Sequence, residues 1–302
     1  VNDIDRAGAK PSRIALIGAS GQLGTALREA FGARVVAAPA HAELALERTD
    51  EVARLLETSA PEVLLNCAAF HHVDGCEREP ERAFAVNALA VERAAAACAG
   101  RGIAFVTFSS DYVFDGTLER AYRESDPPNP RTVYGASKLA GELLTRRHGE
   151  RQVIIRTSGL FGTTGTSNKG YTLLERVLAQ AERGEPTRMV DDIVFSPSYA
   201  PHVARAVRDI VDAQAYGTHH VTNAGACSWY AFVREAFAKA GLAAAPLEAV
   251  TYASLANPTP RPMRSALDNT TFAGLGIAAL PSWQDALDAF LAARAVRLAA
   301  AP

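Results

Sequence analysis

From Arg13 onward, apolar positions alternate between short continuous runs and helical spacing. Arg13–Ile17 is a compact aliphatic run that predicts a strand, and in Gln22–Phe31 the residues Leu23, Leu27 and Phe31 recur with the helical period. The same rhythm predicts strands at Arg34–Ala38, Glu62–Asn66, Ile103–Ser109 and Gln152–Thr157. Helices are expected between them at Asp50–Thr58, Glu81–Ala99 and Tyr134–Arg147. Apolar runs that alternate with helices imply a parallel sheet covered on both faces. Pro61 and Gly102 punctuate short returns, and the one long connection is Asp115–Pro130 with its Asp126-Pro127-Pro128-Asn129-Pro130 run.

After Thr157 the rhythm changes. Gly162–Gly170 is rich in Gly, Thr and Ser, Arg188–Tyr199 mixes Asp, Ser and Pro, and Asn257–Pro262 is proline-rich. Helices are expected at Tyr171–Arg183, His202–Ala213, Ser228–Ala240 and Ser282–Arg297. The reading is an α/β chain, a Rossmann-type doubly wound parallel sheet with a smaller, irregular C-terminal substrate-binding region. Residues 1–160 form the NAD(P)-binding part, with 200–223 returning to it, and 161–199 and 224–302 form the substrate region.

Length agrees, since 302 residues at roughly 150 per domain give about two units. With 48 % hydrophobic and 21 % charged residues, disorder and a coiled-coil rod are excluded. Thirty-one Lys and Arg against 33 Asp and Glu leave a formal charge of −2, without the basic excess that nucleic-acid binding requires. No apolar stretch approaches the roughly 20 residues that span a bilayer. Val1–Ser12 has no apolar segment, so it reads as a tail and not a secretory signal, and a cytoplasmic location is expected. Cys67, Cys76, Cys98 and Cys227 lack CxxC spacing, which argues against a disulfide framework and a zinc site.

Candidate chemistry begins at Gly18-Ala-Ser-Gly21-Gln-Leu-Gly24, which follows the first strand and opens the first helix. In that context, glycines let the backbone turn sharply and approach a pyrophosphate whose charge sits at the helix N-terminus. The bland alternative is an ordinary glycine turn joining strand to helix. A carboxylate after the second strand would bind the ribose 2′-hydroxyl of NAD. Here that strand ends Val36-Ala37-Ala38-Pro39-Ala40-His41. NADPH is therefore favoured, with NADH still permitted. His41 or Arg48 can hold a 2′-phosphate, or simply be solvated.

Tyr134-Gly-Ala-Ser-Lys138 places a phenol and an amine one turn apart on one helix face. Free tyrosine ionises near about 10, so it is a poor acid or base at neutral pH unless a nearby cation favours the phenolate. Lys138 can supply that charge. Alone, such a pair is more often a packed ring and a solvated amine. Ser109-Ser110 closes the preceding strand, and strand carboxyl ends form the ligand crevice of such sheets.

Together, Gly18–Gly24, Ser110, Tyr134 and Lys138 resemble the extended short-chain dehydrogenases/reductases. Phe108-Ser-Ser-Asp-Tyr-Val-Phe-Asp-Gly116, Tyr134–Glu142, Arg156-Thr-Ser158 and Asn66-Cys-Ala-Ala69 with Val73-Asp74 resemble the dTDP-4-dehydrorhamnose reductase family. Phe84–Ala88, Val190–Asp192, Ser196-Pro197 and Cys227–Tyr230 extend the likeness over nearly the whole chain. The resemblance implies reduction of a nucleotide-linked 4-keto-6-deoxy sugar, with Tyr134 as general acid, Lys138 lowering its pKa and binding the nicotinamide ribose, and Ser110 holding the carbonyl oxygen. It also implies a cofactor bordered by Gly18, Gly21, Gln22, Leu23, Gly24, Ala69 and Phe70, and a sugar bordered by His71, Val73, Asp111, Tyr112 and Gly159. Asn87 either orders a relay water or packs locally.

Four positions depart from the family pattern. Gly159 stands for a Trp that lies against substrate, Phe161 for a Tyr, His71 for a Thr and Ile193 for a Gln. Either the pocket takes a differently shaped keto sugar, or another side chain fills the gap. His71-His72 lacks a third ligand nearby for a metal. Two rival functions remain open. One is a sugar-nucleotide epimerase or dehydratase, against which Tyr112 stands where the dehydratases place a second carboxylate; the other is a non-catalytic NADP-binding subunit, since regulatory subunits of methionine adenosyltransferase share this likeness without turnover. Trp283–Leu291 is either a dimer helix or core packing, and Arg146-Arg147-His148 suits a helix C-terminus.

Overall fold

The structure, a computed structural model, describes residues 10–164, 172–256 and 259–300. The first nine residues of the expected tail, residues 165–170 of the Gly/Thr/Ser-rich stretch, the expected helix start at Tyr171, and 257–258 of the proline-rich stretch lie outside them. The strands are β1 (Ile14–Ile17), β2 (Val35–Ala37), β3 (Val63–Asn66), β4 (Ala104–Ser110), β5 (Gln152–Thr157), β6 (Leu160–Phe161), β7 (Thr187–Val190), β8 (Val194–Phe195), β9 (Ser198–Tyr199), β10 (Gly217–His220), β11 (Cys227–Ser228) and β12 (Leu247–Val250). Six of them form one parallel sheet in the order β10-β5-β4-β3-β1-β2, so the strand order reverses between β1 and β3. All ligand-facing carboxyl ends therefore lie on one edge.

The helices are α1 (Gln22–Phe31), α2 (Thr49–Ser59), α3 (Val73–Arg78), α4 (Pro80–Phe84), α5 (Val91–Ala99), α6 (Val133–Thr145), α7 (Leu173–Glu182), α8 (Ala200–Asp212), α9 (Trp229–Lys239), α10 (Phe272–Leu275) and α11 (Trp283–Ala299). Period-two alternation sorts the strands onto two cores. Ile14, Leu16, Val63, Leu65, Val106 and Phe108 pack with α1 and α8, whereas Ala15, Ile17, Leu64 and Phe105 pack with α2 and α5. A third core gathers Phe161, Phe195, Tyr199 and residues of α7, α9 and α11. The apolar face of Trp283–Leu291 is spent there, with Leu287 and Phe290 fully buried.

Two expectations change. The single helix at Glu81–Ala99 is instead α4, a π turn at Ala85–Ala90 and α5. The wider turn holds a buried Asn87 against the Phe70 backbone and Ser137 of α6, and π turns recur at functional sites. Strand β10 was not expected, because Gly217-Thr-His-His is too polar to read as one; pairing with β5 makes it a strand. Among the described residues, no helix is long and apolar enough to cross a membrane.

Candidate active site

Three glycines in the first turn do different work. A Cβ on Gly18, whose φ is +79°, would come within 2.8 Å of the Ala68 nitrogen, so only glycine lets the end of β1 lie against the end of β3. One on Gly24 would stand 2.2 Å from the Gly18 carbonyl, so the bare Cα seats α1 on the turn. Gly21 is the contrast, with its closest neighbour 3.4 Å away. Helix α1 starts there without a side-chain cap or an acidic residue in its first turn, and the buried Gln22 amide nitrogen has no partner. A smooth turn with free N–H groups, an unspent amide and no local negative charge suits the diphosphate of a dinucleotide.

Beside this turn, Ala69 and Phe70 leave β3 held from behind. Asn87 accepts the Phe70 N–H at 2.8 Å and donates to its carbonyl at 2.9 Å and to Ser137 Oγ at 3.0 Å. Of the two roles open to Asn87, the structure shows this local clamp. Arg48 pairs with Glu51 at 2.7 Å on the surface, and His41 is exposed.

Ser110 ends β4 opposite Thr157 of β5. Its hydroxyl donates to Asp111 Oδ1 at 2.8 Å and accepts the Tyr112 N–H at 3.2 Å. Thr132 caps α6 by accepting the Gly135 N–H at 2.9 Å, and a Cβ on Gly135 would fall 2.1 Å from the Tyr112 carbonyl. That close approach presses the first turn of α6, with Tyr134, onto the end of β4. The Tyr134 hydroxyl lies beside Ser110, and its ring meets Tyr112 edge-on at 5.7 Å. One turn later Lys138 is buried, with Glu142 beyond it. Arg156 grips Glu142 through two hydrogen bonds of 2.9 and 2.6 Å.

Burial pushes the Tyr134 phenol well above its ordinary range, with the Ser110 hydrogen bond opposing. Lys138 was expected to lower it. Removal of water from the phenolate outweighs any such effect, and burial also brings Lys138 down to about 8 against the pull of Glu142. A phenol kept protonated at neutral pH is suited to donating a proton.

The residues expected around the sugar are treated unequally. His71 is exposed, Val73 starts α3, and Tyr112 is half-buried beside Tyr134. Asp111 is more deeply buried than these. It is 4 % exposed, and both its oxygens are taken by serine hydroxyls: Ser110 on one, Ser158 at 2.9 Å and Ser265 at 2.6 Å on the other. His72 caps α3 by accepting the Gly75 N–H at 2.8 Å.

The space at Gly159 is filled from elsewhere. A Cβ there would stand 2.2 Å from the Phe195 ring, and Phe195 stacks on Trp229 at 3.9 Å. Phe161 and Ile193 are buried, Phe161 against Tyr199 and Phe232. Arg261 escaped the sequence reading. It reaches the Tyr112 hydroxyl at 3.3 Å, Asp74 at 3.3 Å and the Tyr252 hydroxyl at 3.0 Å, tying the C-terminal region to the rim of the crevice. Its only signal was a lone cation between Pro260 and Pro262.

Residues 12–296 match the family described as the RmlD substrate binding domain. The spore coat polysaccharide biosynthesis protein SpsK of Bacillus subtilis is 37 % identical over 234 residues, 78 % of this chain and 80 % of SpsK. The dTDP-4-dehydrorhamnose reductase of Streptomyces griseus is 33 % identical over 278 residues, 89 % of this chain and 90 % of that protein. The crystal structure of dTDP-4-dehydrorhamnose reductase from Bacillus anthracis in complex with NADP superposes with a TM-score of 0.88 at 28 % identity, covering 93 % of this chain and 98 % of that one. A UDP-glucose 4-epimerase from Thermotoga maritima, at 17 % identity and a TM-score of 0.79, shares the fold.

Proposed function

The chain belongs to the dTDP-4-dehydrorhamnose reductase family and is an oxidoreductase, and from that premise we propose that it reduces the C4 carbonyl of a nucleotide-activated, dTDP-linked 4-keto-6-deoxy sugar with NADPH. The observation that carries this reading is the half-buried Tyr134 phenol, its ionisation pushed up by desolvation, beside Ser110 at the crevice edge and one helical turn from the buried Lys138.

NADPH, when bound, supplies a hydride to the carbonyl carbon. The Gly18–Gly24 turn and the Gln22 amide hold its diphosphate, with Leu23, Ala69 and Phe70 alongside. Lys138 binds the nicotinamide ribose, and its ammonium favours phenolate formation once Tyr134 has passed its proton to the developing alkoxide. Ser110 donates to that oxygen. His71, Val73, Tyr112 and Gly159 border the sugar, with the Phe195–Trp229 stack closing the wall at Gly159.

The test is nicotinamide absorbance after adding fresh dTDP-4-keto-6-deoxyglucose, with and without a 3,5-epimerase. Turnover only with the epimerase identifies the rhamnose-type reductase, and turnover without it a reductase of the unepimerised sugar. Tyr134→Phe is expected to bind NADPH normally while kcat falls by about 10²–10⁴-fold. Unchanged turnover in that variant removes Tyr134 as the acid.

A further inference from the structure

Arg156 of β5 and His220 of β10 are register partners on neighbouring parallel strands, so both side chains leave the sheet on one face. Both are buried, and they share an aromatic floor. The Arg156 guanidinium carbon lies 5.1 Å from the centre of the Phe114 ring, and the His220 ring meets Phe114 edge-on at 5.7 Å. Each keeps one atom in reserve. Arg156 spends Nε and Nη2 on Glu142, and its Nη1 has no partner among the described residues. His220 Nδ1 stands 3.1 Å from the Tyr122 carbonyl and 3.2 Å from that of Asp268, so Nδ1 carries the proton and Nε2 is left with its lone pair. Nε2 has no partner either. A donor and an acceptor left open on register partners are complementary, and a single enclosed water molecule between them satisfies both.

We propose that His220 is a positioning residue for Lys138, whose Nε2 takes the spare Arg156 Nη1–H through one enclosed water and so fixes the guanidinium on Glu142. This rests on the reading above in which Lys138 binds the cofactor ribose. Glu142 lies one turn beyond Lys138 on α6 and is the charge that favours its ammonium form. Arg156 competes with Lys138 for that carboxylate, and a carboxylate gripped at both oxygens has less to give the amine. His220 is itself anchored from outside the sheet. Its backbone N–H donates to Glu124 at 3.1 Å, and the Tyr122 carbonyl beside Nδ1 also accepts the Asp268 N–H at 2.8 Å. The long loop after β4 and the C-terminal region thereby reach the cofactor amine through His220, Arg156 and Glu142. The other charged or titratable groups along this path are Glu124 beside His220, Arg146 beside Glu142, and Cys67 and Cys76 beside Lys138, with Tyr134 one turn before it.

Asparagine and glutamine divide the histidine between them. An Asn amide nitrogen reaches where Nδ1 stands, and a Gln amide oxygen reaches where Nε2 stands. His220→Asn keeps the bond to the carbonyls and releases Arg156, so Glu142 turns to Lys138. The pH midpoint of NADPH binding, read by fluorescence titration, is then expected to rise by about 0.5. His220→Gln is expected to leave that midpoint in place while denaturant unfolding shows lost stability, because the two carbonyls lose their donor. In His220→Asn/Glu142→Gln the midpoint matches that of Glu142→Gln alone, since the effect passes through Glu142. Nitrogen NMR of the unaltered protein, which needs no variant to fold, is expected to show His220 as the neutral Nδ1–H tautomer with Nε2 accepting a hydrogen bond. An unmoved or lowered midpoint in His220→Asn, a raised one in His220→Gln, or an Nε2–H tautomer each overturn the proposal. Absence of any midpoint in the unaltered protein overturns the role of Lys138 at the ribose and the proposal with it; a midpoint that ignores His220→Asn overturns the positioning role alone.

Discussion

Two regions of the site keep a carboxylate out of water by opposite means. Beneath Lys138, Glu142 at 1 % exposure is bolted to the equally buried Arg156 by a two-pronged ion pair. Beneath Ser110, Asp111 at 4 % exposure sits among three neutral hydroxyls. A guanidinium fork has fixed geometry and a full charge, so the first arrangement is rigid. Hydroxyls rotate about one bond and can change partners, so the second is adjustable. The rigid one stands behind the Lys138 amine, and the adjustable one behind the Ser110 hydroxyl.

The largest expected effect comes from breaking the bolt. Glu142→Ala leaves the Arg156 charge buried and unpaired, and is expected to cost about 3–5 kcal/mol of stability, read by denaturant unfolding. A loss below about 1 kcal/mol would mean that water reaches Arg156 and that the two regions do not differ in kind. Next, Ser158→Ala removes one of three hydroxyl partners of Asp111 and is expected to cost about 1.5 kcal/mol in the same measurement, since two hydroxyls remain on the carboxyl group.

The smallest effect concerns pH. Lys138 loses its proton near about 8, below its ordinary value of 10.5, so between those values the folded chain binds fewer protons than the unfolded one. Stability from this group therefore rises as pH climbs from about 8 toward 10.5, and the cost of the buried ammonium is fully present below 8. NADPH affinity runs the other way, weakening by less than about tenfold above pH 8 as the ammonium is lost. Fluorescence titration is expected to show this midpoint moving down in Glu142→Gln, because Glu142 holds the amine's proton on, and staying put in Asp111→Asn. A midpoint that moves equally in both would erase the distinction.

Much of the first half was legible because its signals are short-range. The glycine turn joins a strand and a helix within a few residues, and the extent Gln22–Phe31 is the helix observed. The pair Tyr134 and Lys138 needed only a helical turn to share a face. Reading became harder where partners come from afar. Trp229 and Phe195 gave no sign that they cover Gly159, and the Asp111 motif position implied a sugar contact without showing the serines that surround its carboxyl group. The Val190–Asp192 likeness likewise resolves into local fastening, with Ser228 donating to Asp191 and the Tyr252 N–H to Asp192 at 2.8 Å.

Sequence alone determined the alternating sheet, the dinucleotide turn and the presence of a phenol, an amine and a serine with matched chemistry. Those features depend on backbone periodicity and on neighbours within a turn or two, which linear spacing encodes. Only the tertiary structure decided which way the Asp111 carboxylate faces, because the donors that claim it lie 47 and 154 residues along the chain. The same holds for β10, a polar segment made a strand by its neighbour, and for the Arg261 clamp that closes the rim. A side chain's direction is set by whichever distant surfaces pack around it, and spacing carries no record of those surfaces.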